Sequence, residues 1–357
     1  MNEELEKFIR MSKYAGERFD LVQAGSGNSS VKLKNNIMLV KASGFLLSDV
    51  EHNKGYVKVD NKKVMGILEN NELLKLSKKE RDSLVSRHIS DAVIESDSKP
   101  SIETFLHALL SNYTLHIHPI AVNAVTCRQD WKEILKGLFD KAVMVNYKTP
   151  GIDLALELKK EVEIFIDTYE QKPKVIFLQN HGLIVTSDNF EDIWQTTEDV
   201  LEKTENCLNI DLSKYKLTTK ISGLLNKAEN NYLVSYLSDD IEINKILKTN
   251  KDLFFTQPFC PDKMVFCGIN AAELKSLDDI EAVRDYKIKY NELPKVLIFR
   301  DNIFFAAKNI RKARESEEIF KFHLLALTMA RDSVNYLSTE ETSYIGNWEA
   351  EKYRQRI

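Results

Sequence analysis

Apolar and polar positions change period repeatedly along the chain, and each change marks an element. The opening "MNEELEKFIRMSKYAGERF" places apolar residues three and four apart among charges and predicts an amphipathic helix. "QAGSGNSSVKL" and "IMLVKAS" predict a glycine-rich turn that opens into two short strands, and "SKKERDSLVSRHISDAVI" predicts a helix. "PSIETFLHALLS" predicts another helix, with Pro100 in its first turn and Ser101 and Glu103 near its positive end. "YTLHIH" is a strand, "QDWKEILKGLF" a helix and "KAVMVNY" a strand, stopped by "TPG" before the long helix "IDLALELKKEVEIFIDTY". "PKVIFLQNHGLIVTS" predicts two strand segments around a tight turn at Asn180, His181 and Gly182, followed by the helix "FEDIWQTTEDVLEKTENCL". The alternation predicts a mixed α/β or α+β unit over residues 1–210.

A polar connector, "NIDLSKYKLTT", leads into residues 211–357, where the pattern partly returns. The stretch from Pro294, "PKVLIFRDNIFFAAKNIRKARESEEIFKF", lines up with the stretch from Pro173 in a Pro-Lys-Val start, a strand, a polar corner, a second strand and a helix. That series is common, but the three identical residues weigh toward a degenerate α/β repeat. Its corner, Asp301-Asn302, holds no histidine, and the only histidine after His181 is His323. The second half therefore cannot hold a histidine-rich metal site alone.

Composition narrows the class. With 357 residues, 43% hydrophobic and 29% charged, the chain has the profile of a water-soluble globular protein of one or two domains. Its 54 acids and 50 bases give a formal net charge of −4 without a basic face, which argues against nucleic-acid and membrane-surface partners. The first helix lacks the apolar centre of a signal peptide, and no window reaches transmembrane length, so a cytoplasmic protein is expected. Cys127, Cys207, Cys260 and Cys267 are far apart, without a CxxC pair, and are expected as buried free thiols. Any metal must be held by nitrogen and oxygen.

In a strand, His116 and His118 project from one face. They either share strand packing, one ring in the core and one toward solvent, or offer a metal two nitrogens side by side. His181, at a glycine turn between apolar runs, supplies a third imidazole, and three histidines with an open position make the catalytic rather than the closed structural pattern for zinc. Glu103 is either an acid favoured by the helix dipole or a fourth player, able to fill the open position or to work as acid and base. His107, one turn on, is expected as its i,i+4 partner or as an orienting group rather than a ligand. "AGSGNSS" offers backbone N–H groups with Asn28, Ser29 and Ser30, and "VKASG" adds Lys41, Ser43 and Gly44, a collection that suits an anion such as phosphate. It has the spacing of neither a Walker loop nor a dinucleotide fingerprint, and such a stretch alone is more often an ordinary hairpin loop.

Taken in order, "GSGNSSVKL", "VKASG", "PSIETFLH", "HIH" and "QNHG" resemble the class II aldolase/adducin family, over about residues 20–210. The resemblance implies a three-layer αβα domain with one zinc ion per subunit held by His116, His118 and His181. It places Glu103 where aldolases of the family have a metal ligand and acid/base group, and Asn28, Ser43, Gly44 and Ser101 where members grip a substrate phosphate. One departure stands out: many members carry two adjacent serines before the glutamate, whereas here Ser101 is followed by Ile102.

The longer form resembles the aldolase portion of bacterial proteins fused to a short-chain dehydrogenase, here expected to stand alone. The implied function is zinc-dependent cleavage of a ketose, as its 1-phosphate, to dihydroxyacetone phosphate and an aldehyde through a metal-stabilised enediolate. Sugar-phosphate 4-epimerisation and dehydration use the same cage, and a non-catalytic adducin-like scaffold is the alternative from another class. The epimerases of this kind usually place aspartate where Glu103 stands, which favours the aldolase. The resemblance also implies a homo-oligomer, a tetramer, with a neighbouring subunit's tyrosine as proton donor, for which Tyr113, Tyr344 and Tyr353 are candidates.

Overall fold

The computed structural model of the chain describes residues 2–70, 73, 75–96, 98–229, 231–330 and 333–347. It divides into two compact units, residues 1–212 and 213–357. Both mix helices with sheet. Among the described residues no helix is long and apolar enough to cross a membrane.

The first unit runs α1 (Asn2–Gly16), β1 (Asn28–Lys32), β2 (Ile37–Lys41), β3 (Tyr56–Asp60), α2 (Asn61–Leu68), α3 (Lys78–Ala92), β4 (Val93–Glu95), α4 (Thr104–Leu109), β5 (Tyr113–Ile117), α5 (Ile120–Thr126), α6 (Trp131–Leu138), β6 (Val143–Val145), α7 (Ile152–Tyr169), β7 (Val175–Leu178), β8 (Gly182–Ser187) and α8 (Glu191–Leu208). Eight strands form one sheet in the order β4-β3-β2-β1-β5-β8-β7-β6. All its pairings are antiparallel except β6 with β7. Helices pack on it in two groups: α2, α4 and α7 meet β3, β2 and β6, whereas α1, α5 and α8 meet β1, β5 and β8. β2, β7 and β8 read as nearly continuous buried runs because both their faces are covered, whereas β3 alternates between buried and half-buried positions. Met38, Val40, Ile176 and Ile184 join Val64, Phe105, Leu106, Leu158 and Val162 in one buried cluster. At about 25 cal/mol per Å² of apolar surface removed from water, clusters of this kind supply the main stabilisation.

The "PSIETFLHALLS" helix starts later than its sequence suggests. Pro100 instead makes an antiparallel bridge with Ala42, and the Ser43 N–H donates to the Lys99 carbonyl at 2.8 Å. The bridge commits Pro100 itself to extended backbone, which denies the helix its first turn. The Ser101 carbonyl accepts from the Thr104 hydroxyl at 2.6 Å, and the Ser101 hydroxyl accepts the Glu103 N–H at 3.2 Å. Glu103 thus stands at the N-cap of a six-residue helix rather than inside a longer one.

The cysteines require a second correction. All four are unpaired, but Cys127 and Cys207 are exposed, Cys260 is half-buried and only Cys267 is buried. The buried stripe of α8 runs through Ile193, Thr197, Val200, Leu201 and Thr204 and leaves Cys207 in solvent. Apolar neighbours in sequence do not place a helical residue on the apolar face.

The second unit runs α9 (Ser213–Ala228), β9 (Val234–Leu237), α10 (Ile241–Thr249), α11 (Pro261–Cys267), β10 (Ala272–Leu274), α12 (Ile280–Tyr290), β11 (Val296–Phe299), β12 (Asn302–Ala307), α13 (Ile310–Ala330) and α14 (Thr339–Asn347). Its sheet order, β10-β11-β12-β9, with the first pairing parallel and the others antiparallel, repeats the β6-β7-β8-β5 part of the larger sheet. Its hairpin turn between Phe299 and Asn302 is one residue shorter than that between Leu178 and Gly182.

Candidate metal centre

β5 lies in the middle of the larger sheet, between β1 and β8, with His116 opposite Asn28 on one side and Ile184 on the other. The two-residue period carries His118 to the same face just beyond the end of the strand, with its Nε2 3.1 Å from Nε2 of His116. His181 arrives from the turn between β7 and β8, its Nε2 3.3 Å from Nε2 of His116. That turn is set by Asn180 in the left-handed region at φ 55° and by its N–H donating to the Thr126 carbonyl at 3.4 Å. Gly182 follows because nothing larger fits. A Cβ there would stand 2.4 Å from the Ile117 carbonyl oxygen and 2.9 Å from Cδ2 of His118.

Hydrogen bonding decides which ring atoms face inward. His116 is fully buried, and its Nδ1 donates to the Leu183 carbonyl at 3.1 Å, which leaves its Nε2 as the ring atom turned to the other two imidazoles. Burial, and then His116 and His181, push His118 down to about 3. It is therefore neutral at physiological pH. The ligand atoms of the three imidazoles lie within 4.8 Å of one another and could hold a metal ion. Nitrogens about 2.0–2.1 Å from a tetrahedral zinc stand about 3.3 Å apart, close to the spacing here.

Glu103 adds charge. Its Oε1 is 3.0 Å from Nε2 of His181 and 3.7 Å from Nε2 of His116, and its Oε2 accepts from Nδ2 of Asn28 at 2.6 Å. Burial alone would raise its carboxyl, but His116 and His181 beside it hold it well below the usual carboxylate range. Asn28 Nδ2 also reaches the Ser101 hydroxyl at 3.4 Å, while its buried Oδ1 has no hydrogen-bond partner among the described residues.

The remaining sequence candidates divide. Ser43 and Gly44 form an exposed turn brought beside Ser101 by the bridge between Ala42 and Pro100. Gly44 adopts φ 83°, with no atom within 4 Å of the place a Cβ would take, so the turn offers bare backbone. Lys41 is buried and donates to the Phe45 carbonyl at 2.7 Å, which ties the turn instead of facing a ligand. Ser29 is a correction: the strand period turns it to the opposite face, where it is fully buried against the Ser12 hydroxyl at 2.7 Å. His107 bonds Ser30 through Nδ1 at 2.8 Å and is not one of the three converging rings. Ile102 is 60% exposed.

Among the tyrosines, Tyr113 donates to Glu4 at the far end of β5, Tyr344 is exposed in the second unit, and Tyr353 lies outside the described residues. A cavity of about 610 Å³ in the second unit, lined by residues such as Lys295, Lys312, Glu229 and Asp262, has no histidine or cysteine in its wall. Sequence reasoning missed Asn28 as the partner of Glu103 and Gly182 as a steric requirement. The His-Gly pair in "QNHG" was a usable signal for the second.

Residues 6–206 match the model of the class II aldolase and adducin N-terminal domain. No curated protein matches the chain in sequence. Among solved structures, the N-terminal class II aldolase domain of a conserved protein from Thermoplasma acidophilum is 23% identical, with a TM-score of 0.50 over 58% of this chain and 95% of that one. A sugar-phosphate aldolase from Thermotoga maritima is 14% identical, with a TM-score of 0.43 over 58% of this chain and 95% of that one. L-fuculose-1-phosphate aldolase from Thermus thermophilus is 15% identical, with a TM-score of 0.39 over 58% of this chain and 95% of that one.

Proposed function

Starting from the fact that this chain belongs to the class II aldolase and adducin family, we propose that it is a zinc-dependent aldolase acting on a ketose 1-phosphate. One observation carries the reading: three imidazole nitrogens converge beside a carboxylate whose other oxygen is held by Asn28. Bound by His116, His118 and His181, a divalent metal supplies Lewis-acid stabilisation of developing negative charge.

The chain's own groups do the rest. Glu103, ionised and buried at rest, takes a proton from the reacting carbon of dihydroxyacetone phosphate in condensation and, in cleavage, delivers one to that carbon as the bond to the aldehyde part breaks. Asn28 fixes the rotation of that carboxylate, so the proton-carrying oxygen is Oε1, on the side of the imidazoles. Hydroxyls of Ser43 and Ser101 and the bare backbone at Gly44 meet the phosphate. With Ile102 in place of a second serine, this grip rests more on backbone than on side chains.

The test is metal analysis of the purified chain, followed by incubation of the zinc-loaded protein with dihydroxyacetone phosphate and a panel of aldehydes. Condensation with an aldehyde supports the reading. No condensation, with metal present, moves the assignment to 4-epimerisation or dehydration; a chain that takes up no metal moves it to a scaffold.

We also infer that the second unit is a degenerate copy of the β5-to-α8 part of the first. Hairpin registers support this: Ile184 pairs with His116, and its counterpart Phe304 pairs with Leu237. Leu237 thus stands where the first metal ligand would be, and the shorter turn omits a residue where His181 is carried.

A further inference from the structure

Arg18 is among the largest fully buried side chains, and neither the metal centre nor the proposed chemistry uses it. Its guanidinium makes a two-pronged ion pair with Asp20, also fully buried, through Nε at 3.0 Å to Oδ1 and through Nη2 to Oδ2. Nη1 pairs with Glu198 of α8, which also accepts from the Tyr14 hydroxyl of α1. Taking such charges out of water costs several kcal/mol per ion, and apolar residues of similar volume often stabilise as well or better. A buried pair of this kind is better explained by what it holds in place.

What it holds is the segment between α1 and β1. The Arg18 carbonyl accepts the N–H groups of Leu21 and Val22 at 3.0 and 3.1 Å. The carbonyls of Leu21 and Asp20 in turn accept the N–H groups of His118 and Ile120, each at 2.9 Å. His118 needs this support. The β5 ladder ends at Ile117, opposite Leu183, and Pro119 has no N–H to give. Ile120 begins α5, whose last residue, Thr126, accepts the N–H of Asn180 next to His181.

We propose that Arg18, acting through Asp20, is a positioning residue for the metal centre: it tethers the backbone of His118, and through α5 the turn that carries His181. The inference rests on the reading of the three histidines as metal ligands. The pair touches neither metal nor substrate.

The test compares the full chain with Asp20→Asn, Glu198→Gln and the apolar double variant Arg18→Met with Asp20→Leu. Zn2+ affinity is read by chelator competition, coordination by the visible absorption of the Co2+ form, and folding by the melting of the metal-free protein. His118→Ala is the control. The tether predicts that the apolar double variant melts within a few degrees of the parent, yet binds Zn2+ about tenfold or more weakly with a changed Co2+ spectrum. Should Asp20→Asn not fold, the double variant and Glu198→Gln carry the same comparison. Unchanged affinity and spectrum in variants that fold would overturn the tether alone, leaving Arg18 a structural role. A parent chain that binds neither ion would overturn the metal reading itself, and the tether with it.

Discussion

Nδ2 of Asn28 lies 2.6 Å from Oε2 of Glu103, on neighbouring elements whose residues are 75 positions apart in the chain. The bond leaves Oε1 directed at His181. Glu103→Gln keeps the shape and the Asn28 contact but cannot take up a proton. It is expected to retain zinc and lose about 10²–10⁴ in kcat, in the range of a removed acid/base group. Most of the activity surviving with zinc bound would refute the role of Glu103. Asn28→Ala, which frees the carboxylate to rotate, should cost about tenfold in kcat with little change in zinc content.

The close approach at Gly182 gives a steric prediction. Gly182→Ala drives a methyl group into the Ile117 carbonyl and the His118 ring, and the carbonyl belongs to a paired strand that cannot easily yield. A loss of about 1–3 kcal/mol in stability is expected, with weaker zinc binding. Thermal melting with and without zinc reads both effects.

Metal removal separates ligands from their neighbours. At zinc a hundredfold above Kd, binding to the folded state adds about 2.7 kcal/mol. That rise in Tm should vanish on chelation, and in His116→Ala, His118→Ala and His181→Ala. His107→Gln should keep it, because His107 is committed to Ser30. A zinc-dependent rise that survives in His181→Ala would remove His181 from the set.

In the second unit, burial and then Lys263 push His323 down to about 3, and its Nδ1 has no hydrogen-bond partner among the described residues. An unfolded histidine takes up its proton below about pH 6.5, whereas the folded one waits until near 3. The stability is therefore full above pH 6.5 and lost as pH falls toward 3. At pH 5 the cost is about 2 kcal/mol. His323→Leu should show a smaller fall in its urea midpoint between pH 7 and pH 5 than the parent. Equal falls would mean that His323 is protonated in the folded state.

Much of the fold was legible because its signals are local. The helix Ile152–Tyr169 and the strands on either side of Asn180 announce themselves by period and by breakers. The start of α4 was not legible, because the bridge between Ala42 and Pro100 joins residues far apart in sequence. The exposure of Cys207 was hidden for a related reason: the face of a helix that becomes buried depends on what packs against it.

The candidate site divides along the same line. His116 and His118 share a face because a strand has a period of two, and the glycine after His181 marks a tight turn, so the chemical types of the candidate ligands could be read from residue order alone. Their convergence could not. It requires β5 and the β7–β8 turn to meet, Leu183 to orient the ring of His116, Asn28 to hold Glu103 and the Arg18–Asp20 pair to support His118. Each of these is a contact between distant parts of the chain, made only after the apolar surfaces of the first unit have been buried together, and a one-dimensional pattern carries periodicity but no such distances.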